Sequence, residues 1–375
     1  MKILHTESSC GWGGQELRIL EESRGMAGRG HAVTIAAPAE SRIFPEARRR
    51  CLAAVDLPIA RKSPGGIASL YRWLKSNRVD VINTHSSTDS WLAAIACALL
   101  KGAPPMVRTR HISASVPDNW ATRWLYVSAT RHVVTAGAAL RRQLIEANRF
   151  PADRITSVPT GIDTRRFAPG DRAAARRALD LPPAATLIGI VATLRSWKGH
   201  RFLLDAFAGL ARPDCYLVIV GDGPQRANLE SQIARLNIGD RVRMAGNQPD
   251  VLPWLHALDL FALPSYANEG VPQALVQAML CGLPCVTTDV GSIGEAAVNG
   301  QTALVVPPQD AGALGQALLG LIEEPELRER LGAAARARCG ERFGFESMLD
   351  AMEAIFARVT ASRGAEHPRA GARPA

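Results

Sequence analysis

VPTGIDTRRFAPGD, residues 158–171, followed at 186–192 by TLIGIVA, decides the architecture. Its proline and glycine punctuation without sustained periodicity marks a linker near residues 159–172, and TLIGIVA opens a fresh series of strands. Before the linker, the short β-branched runs KILHT, AVTIAA, VDVINT, MVRTR, HVVTA and ITSV alternate with helix-length segments such as ELRILEESRGMAGRG and IASLYRWLKSN. After it come TLIGIVA, CYLVIVG, RVRMA, LDLFALP, PCVTTD and ALVV, with helical segments such as DAFAGLAR between them. Alternation of this kind implies βαβ units and mostly parallel sheets with helices on both faces. At 375 residues the chain also exceeds what one core usually supports. The expectation is an α/β protein of two doubly wound domains, 1–168 and 169–344. Such sheets bind ligands beyond the carboxyl ends of their strands, so the loops after TLIGIVA, CYLVIVG and LDLFALP are expected to line a cleft opposite HTESSCGWGG, residues 5–14.

Hydrophobic residues make up 47% of the chain and charged residues 21%, which excludes disordered and fibrous classes. No basic segment followed by an apolar stretch opens the sequence. The longest apolar run, WLAAIACALL from Trp91 to Leu100, is too short to span a bilayer, so a cytoplasmic location is expected. Seven scattered cysteines suit a reducing compartment. Cys281 and Cys285 in CGLPC lack a second pair or neighbouring histidines at metal spacing and read as buried thiols, with no metal site. The net charge of +9 is uneven: residues 1–170 hold 24 Lys and Arg against 13 Asp and Glu, and the remainder 20 against 22. This basic half is either a solvated arginine-rich surface or a contact for an anionic membrane or polymer. No nucleic-acid-binding module accompanies the charge, so nucleic acid is not the expected partner.

Among chemical motifs, the phosphate-binding G-x-x-x-x-G-K-[ST] and the zinc-binding H-E-x-x-H are absent, and VGSIG at 290–294 lacks the spacer of a nucleophile elbow. Gly11-x-Gly13-x-x places Glu16 where a dinucleotide fingerprint requires a third glycine. In TLRSWKGH, Lys198 follows a strand and opens an apolar-periodic helix, with Arg195 three residues before it. Two cations beside a helix N-terminus can hold a diphosphate, although such a pair also occurs as plain solvated surface. In ANEGVPQALVQAML, Glu269 and Gly270 precede Val271 and Pro272, and proline in a first turn marks a helix start whose free N–H groups point outward. Glycine lets a ligand approach the backbone. The alternative reading makes Glu269 a carboxylate that complements the helix dipole.

Taken together, GWGGQE at 11–16, VPTGIDTRRF at 158–167, VGDGP at 220–224, the run 264–289 and VGSIGEAAVNGQTALVVPPQD at 290–310 resemble the retaining glycosyltransferases of family 4, over roughly residues 1–360. The resemblance implies the GT-B fold, with the second domain binding a nucleotide-sugar donor and the first an acceptor. It also implies that a final helix, 345–361, returns to the first domain, and 362–375 reads as a disordered tail. By the same resemblance, the Gly13–Gly14 turn leans over the donor diphosphate and Lys198 holds it. Glu269 meets the sugar hydroxyls, with Gly270, Val271 and Pro272 beside sugar and phosphate, and His111 in RTRHIS lies beside the transferred sugar. Without the resemblance, His111 reads as a structural histidine. Asn247 and Gln248 are placed near the base.

Two positions depart from the family pattern. Thr193 stands where arginine is usual, and Gln277 where a second glutamate is usual. Arg195 supplies the missing positive charge from two residues further on with altered geometry. Gln277 keeps hydrogen-bonding capacity toward ribose hydroxyls without charge assistance. The expected activity is metal-independent, retaining transfer of a hexose-type sugar from a UDP- or GDP-linked donor, with no other cofactor, to a glycan or lipid-linked acceptor of cell-surface polysaccharide or lipopolysaccharide, with peripheral docking at the inner membrane face as the reading of the basic half that favours a membrane contact. The rivals are a non-catalytic nucleotide-sugar-binding subunit and a sugar-nucleotide epimerase on the same fold.

Overall fold

Strand follows helix through the chain as the β-branched runs demand. The structure, a computed structural model, describes residues 1–112 and 114–366 and divides into two units, Met1–Pro159 with the segment from Glu346 onward, and Thr160–Phe345. The division lies at Pro159/Thr160, nine residues before the expected boundary after 168, because the stretch from Thr160 packs with the second unit. There Ile162 donates its amide to Phe343 O at 2.8 Å and accepts from the Phe345 amide at 3.1 Å, and its neighbour Phe167 is 6% exposed in the second core.

The first unit comprises β1 (Lys2–Thr6), α1 (Gly14–Gly28), β2 (Ala32–Ala37), α2 (Ile43–Arg49), β3 (Ala53–Asp56), α3 (Pro64–Ser76), β4 (Val81–Thr84), α4 (Ser87–Leu99), β5 (Met106–Arg110), α5 (Trp120–Arg123), β6 (His132–Thr135), α6 (Ala138–Glu146) and β7 (Ile155–Ser157). Its seven parallel strands lie in the order β3-β2-β1-β4-β5-β6-β7. The central strands are buried along nearly their whole length, as strands covered on both faces must be. WLAAIACALL forms most of α4, which buries Leu92, Ala93, Ala94 and Ala96 in the core. No helix among the described residues is long and apolar enough to cross a membrane.

The second unit comprises α7 (Arg172–Ala178), β8 (Thr186–Val191), α8 (His200–Gly209), β9 (Cys215–Val220), α9 (Arg226–Arg235), β10 (Val242–Gly246), α10 (Leu252–Ala257), β11 (Leu260–Leu263), α11 (Gln273–Leu280), β12 (Cys285–Thr288), β13 (Leu304–Val306), α12 (Ala311–Glu323) and α13 (Pro325–Arg342). Its six parallel strands run in the order β10-β9-β8-β11-β12-β13. In both sheets the order reverses beside the first strand, which is the topological switch of doubly wound folds. Cys281 and Cys285 are buried free thiols of its core.

The last helix, α14 (Phe345–Glu366), belongs from Glu346 onward to the first unit. It runs five residues past the expected end at 361, and 367–375, the rest of the expected disordered tail, lie outside the described residues. Arg29 anchors it through Glu346, Asp350 and Glu353 at 2.7 to 2.9 Å, and Phe356 is fully buried.

Candidate active site

In the second unit the loops at the carboxyl ends of β8, β9, β11 and β12 lock one another through glycines. After β8, Ser196–Lys198 forms a single 3-10 turn and Gly199 takes a left-handed conformation with φ of 77°. A Cβ on Gly199 would lie 1.9 Å from Pro264 O in the loop after β11, so only glycine permits this approach. Lys198 therefore precedes α8, with Gly199 as its N-cap, and does not open the helix as its sequence position had implied. The Tyr266 amide donates to Trp197 O at 2.8 Å across the same seam.

These contacts bring Lys198 and Glu269 together. Lys198 Nζ donates to Glu269 Oε1 at 2.6 Å, and Ser265 Oγ donates to the same oxygen at 2.6 Å. The Glu269 side chain is 5% exposed and that of Lys198 20%, so the ammonium reaches the loop surface while the carboxylate is enclosed. Beneath Glu269, Gly291 from the loop after β12 has φ of 64°, and a Cβ there would stand 2.0 Å from Glu269 O. Asn268 also adopts a left-handed φ of 60°, so the backbone turns sharply immediately before Glu269.

Gly270, Val271 and Pro272 follow as buried residues, and Pro272 is the N-cap of α11, one position before the first turn. Among the described residues the Gly270 and Val271 amides have no hydrogen-bond acceptor. Gln277 lies partly buried further along α11. Thr193 is partly buried in the loop after β8 and accepts from the Arg195 amide at 2.7 Å. The exposed Arg195 guanidinium rests 5.7 Å from the centre of the Trp197 ring. Asn247 is exposed beyond β10, and Gln248 turns back on its own loop by donating to Ala245 O at 2.7 Å.

Gly13, Gly14 and His111 belong to the first unit. Gly13 is the extended N-cap of α1 and Gly14 its first residue. Glu16, at the position of the missing third glycine, is buried. The loop is tied down by Glu7, which accepts from the Ser9 amide at 2.7 Å, from Ser86 Oγ at 2.5 Å and from Gln15 Nε2. Burial and the neighbouring Asp89 push Glu7 up to about 8. Asp89 itself caps α4, accepting from the Ser86 amide at 2.8 Å, the His85 amide at 2.9 Å and Thr6 Oγ1 at 2.6 Å. Burial raises it to about 6. Sequence reasoning missed Glu7, Ser86 and Asp89, although Ser86-x-x-Asp89 after the strand VINT is a capping-box signature.

Residues 171–338 match the family described as Glycosyl transferases group 1, and residues 12–166 match Glycosyltransferase Family 4. A D-inositol 3-phosphate glycosyltransferase of Saccharomonospora viridis is 31% identical over 77% of this chain and 68% of its own length. The chain is a member of glycosyltransferase family 4.

The family 4 chain is also 32% identical to the lipopolysaccharide core biosynthesis mannosyltransferase LpsB of Rhizobium meliloti, over 54% of this chain and 60% of that protein's length. Among solved structures, Anabaena Alr3699/HepE in complex with UDP-glucose superposes with a TM-score of 0.85 at 22% identity, covering 96% of the family 4 chain and all of the other. The family 4 chain thus has the GT-B fold, built from two Rossmann-like parallel sheets.

Proposed function

We propose that this chain is a retaining, metal-independent glycosyltransferase that moves a hexose-type sugar from a UDP- or GDP-linked donor to a glycan or lipid-linked acceptor of the cell surface. The observation that carries this reading is the Lys198–Glu269–Ser265 cluster, set beside the unpaired Gly270 and Val271 amides where loops of a doubly wound sheet converge. As the bond between sugar and phosphate breaks, negative charge grows on the leaving phosphate. Fixed N–H donors and the Lys198 ammonium stabilise that charge more than they stabilise the ground state. Arg195 adds a second cation in the same loop, and Glu269 accepts from sugar hydroxyls with its free oxygen.

Gln277 and the Gly13–Gly14 turn complete the donor site in this reading, with His111 beside the transferred sugar, Thr193 at the phosphate loop and Asn247 toward the base. Two relatives support the class of substrate. The LpsB relative is named for lipopolysaccharide core synthesis, and the HepE neighbour binds UDP-glucose. The basic first half favours a cytoplasmic enzyme that docks on anionic lipid, where lipid-linked acceptors are presented.

A thermal-shift screen against a panel of nucleotide sugars, followed by a product assay on the strongest hit, tests the proposal. A donor that stabilises the protein and yields a glycosylated product with the anomeric configuration kept is the expected result. Absence of stabilisation across the panel, or a free epimerised sugar nucleotide as the product, would overturn it.

A further inference from the structure

Three histidines form a staircase across the first sheet, His5 and His85 buried and His111 partly so. β1, β4 and β5 are neighbours, with His5 in register with Asn83 and Asn83 with Val107. His85 is two residues beyond Asn83, and His111 four beyond Val107. Because side chains alternate faces with a period of two, the three rings share one face and step diagonally toward the carboxyl ends. His5 Nδ1 lies 2.9 Å from His85 Nε2, and His85 Nδ1 lies 3.0 Å from His111 Nε2. Each pair of rings is stacked with centroids 5.2 Å apart.

Burial, helped by Arg18, holds His5 at about 3, and the other two rings also titrate well below the ordinary histidine range, His85 through burial and His5, His111 through burial and Arg18. The three rings are therefore neutral near pH 7, and each has one N–H donor and one acceptor nitrogen. Only two proton arrangements satisfy both contacts. In one, every N–H sits on Nε2, and His5 Nε2 becomes a buried donor without a partner. In the other, every N–H sits on Nδ1, and His5 Nε2 is an unused lone pair. His5 Nε2 is buried and has no hydrogen-bond partner. An orphaned buried N–H is rarer and costlier than an unused acceptor, so the second arrangement is the stable one.

We propose that His85 and His5 are positioning residues that lock His111 in its Nδ1–H tautomer, so that its outer ring edge presents an N–H donor to an oxygen of the substrate. Phe356 meets His5 in a T-shaped pair at the inner end, at 6.4 Å between ring centres, whereas His111 at the other end is only partly buried. A chain closed at one end offers a proton no exit, so it orients His111 and conducts nothing. The role given to the substrate oxygen rests on the reading that His111 adjoins the transferred sugar.

The test is the ring-nitrogen NMR spectrum of full-length protein carrying 15N-labelled histidine, with the His111 signals assigned by their loss in His111→Asn. Protonated Nδ1 and bare Nε2 on His111, shifting toward the Nε2–H form in His85→Phe, are the expected results. A wild-type ring protonated on Nε2 overturns the lock, and this spectrum decides even where the variant does not fold. For the substrate contact, an Asn amide reaches the position of Nδ1 and a Gln amide that of Nε2. His111→Gln should therefore fall roughly tenfold below His111→Asn in kcat/KM, and equal values overturn the donor role. The spectrum needs no substrate. An Nδ1–H ring in a protein that transfers no sugar leaves the lock standing and removes the transferase reading instead.

Discussion

Lys198 Nζ and Glu269 Oε1, 71 positions apart in the chain, lie 2.6 Å from one another where the loops after β8 and β11 meet. In the proposed site the pairing orients the cation toward a diphosphate, since Glu269 holds the ammonium in place while part of it reaches solvent. Removing one member leaves the other uncompensated, at a cost of about 3–5 kcal/mol where both are buried and less here because Lys198 is partly exposed. Lys198→Ala should thus lower both stability and kcat, the latter by roughly 100- to 1000-fold. The double variant Lys198→Met/Glu269→Gln should regain most of the stability and none of the turnover. Urea titration alongside a donor-turnover assay checks this, and recovery of both together would show that the pair serves folding alone.

Gly199 and Gly291 are predicted to be intolerant for backbone reasons. Each has φ near 70° and would place a Cβ at 1.9 to 2.0 Å from a carbonyl oxygen, of Pro264 and Glu269 respectively. A non-glycine residue in this region costs about 1–2 kcal/mol before any clash is counted. Gly199→Ala and Gly291→Ala should each lower Tm and donor affinity. Gly28→Ala, where the added methyl meets nothing within 4 Å, serves as the control and should be neutral or stabilising. Equal melting temperatures for all three would contradict the loop-locking argument.

The buried titratable groups give stability a dome against pH. His5 and His200 are each held at about 3, mainly by burial and then by Arg18 and Lys198, and His85 and His111 are lowered as well. Below pH 6.5 the unfolded chain binds protons at these histidines that the native state refuses, so stability is lost on acidification. Each group adds a slope of about 1.4 kcal/mol per pH unit. Glu7, raised to about 8, and Asp89, raised to about 6, act oppositely, because the native state keeps their protons after the unfolded state has released them. Below 6.5 these four histidines, joined by His132 at about 4, outweigh the raised carboxyls Glu7, Asp89 and Glu22, and above it Glu7, raised to about 8, lowers stability as pH rises. Urea midpoints at pH 5 and pH 8 should both fall below that at pH 6.5, and Glu7→Gln should remove the decline on the alkaline side.

Both sheets were legible in the sequence because their central strands are continuous apolar runs that only burial on two faces explains. The strand β3, AAVD, escaped notice. It has four residues on the sheet edge with none fully buried, so no periodicity marks it. The loops of the candidate site were legible one by one, since Lys198 and Glu269 each follow a strand, but their mutual contact was not. It depends on β8 lying next to β11, a crossover adjacency that spacing along the chain does not encode. The histidine staircase was hidden for the same reason. Its only trace is that KILHT and VINTH end near histidine as RTRH does, and seeing the three together requires the register of β1, β4 and β5.

Gln277 stands on α11 where the resemblance to family 4 implies a glutamate. A neutral amide donates and accepts, yet its hydrogen bonds to hydroxyls lack the extra strength that an ionised carboxylate brings, a difference of about 1 kcal/mol per bond. If Gln277 contacts the ribose of the donor, Gln277→Glu should tighten nucleotide-sugar binding about fivefold with kcat little changed, because a ribose contact acts equally on ground and transition states. The partly buried position limits the desolvation cost that a fully enclosed carboxylate would incur. Calorimetric titration of wild type and variant with the donor found by the thermal-shift screen measures the change. Unchanged or weaker binding by Gln277→Glu in a protein of normal Tm would place the ribose elsewhere and remove Gln277 from the donor site.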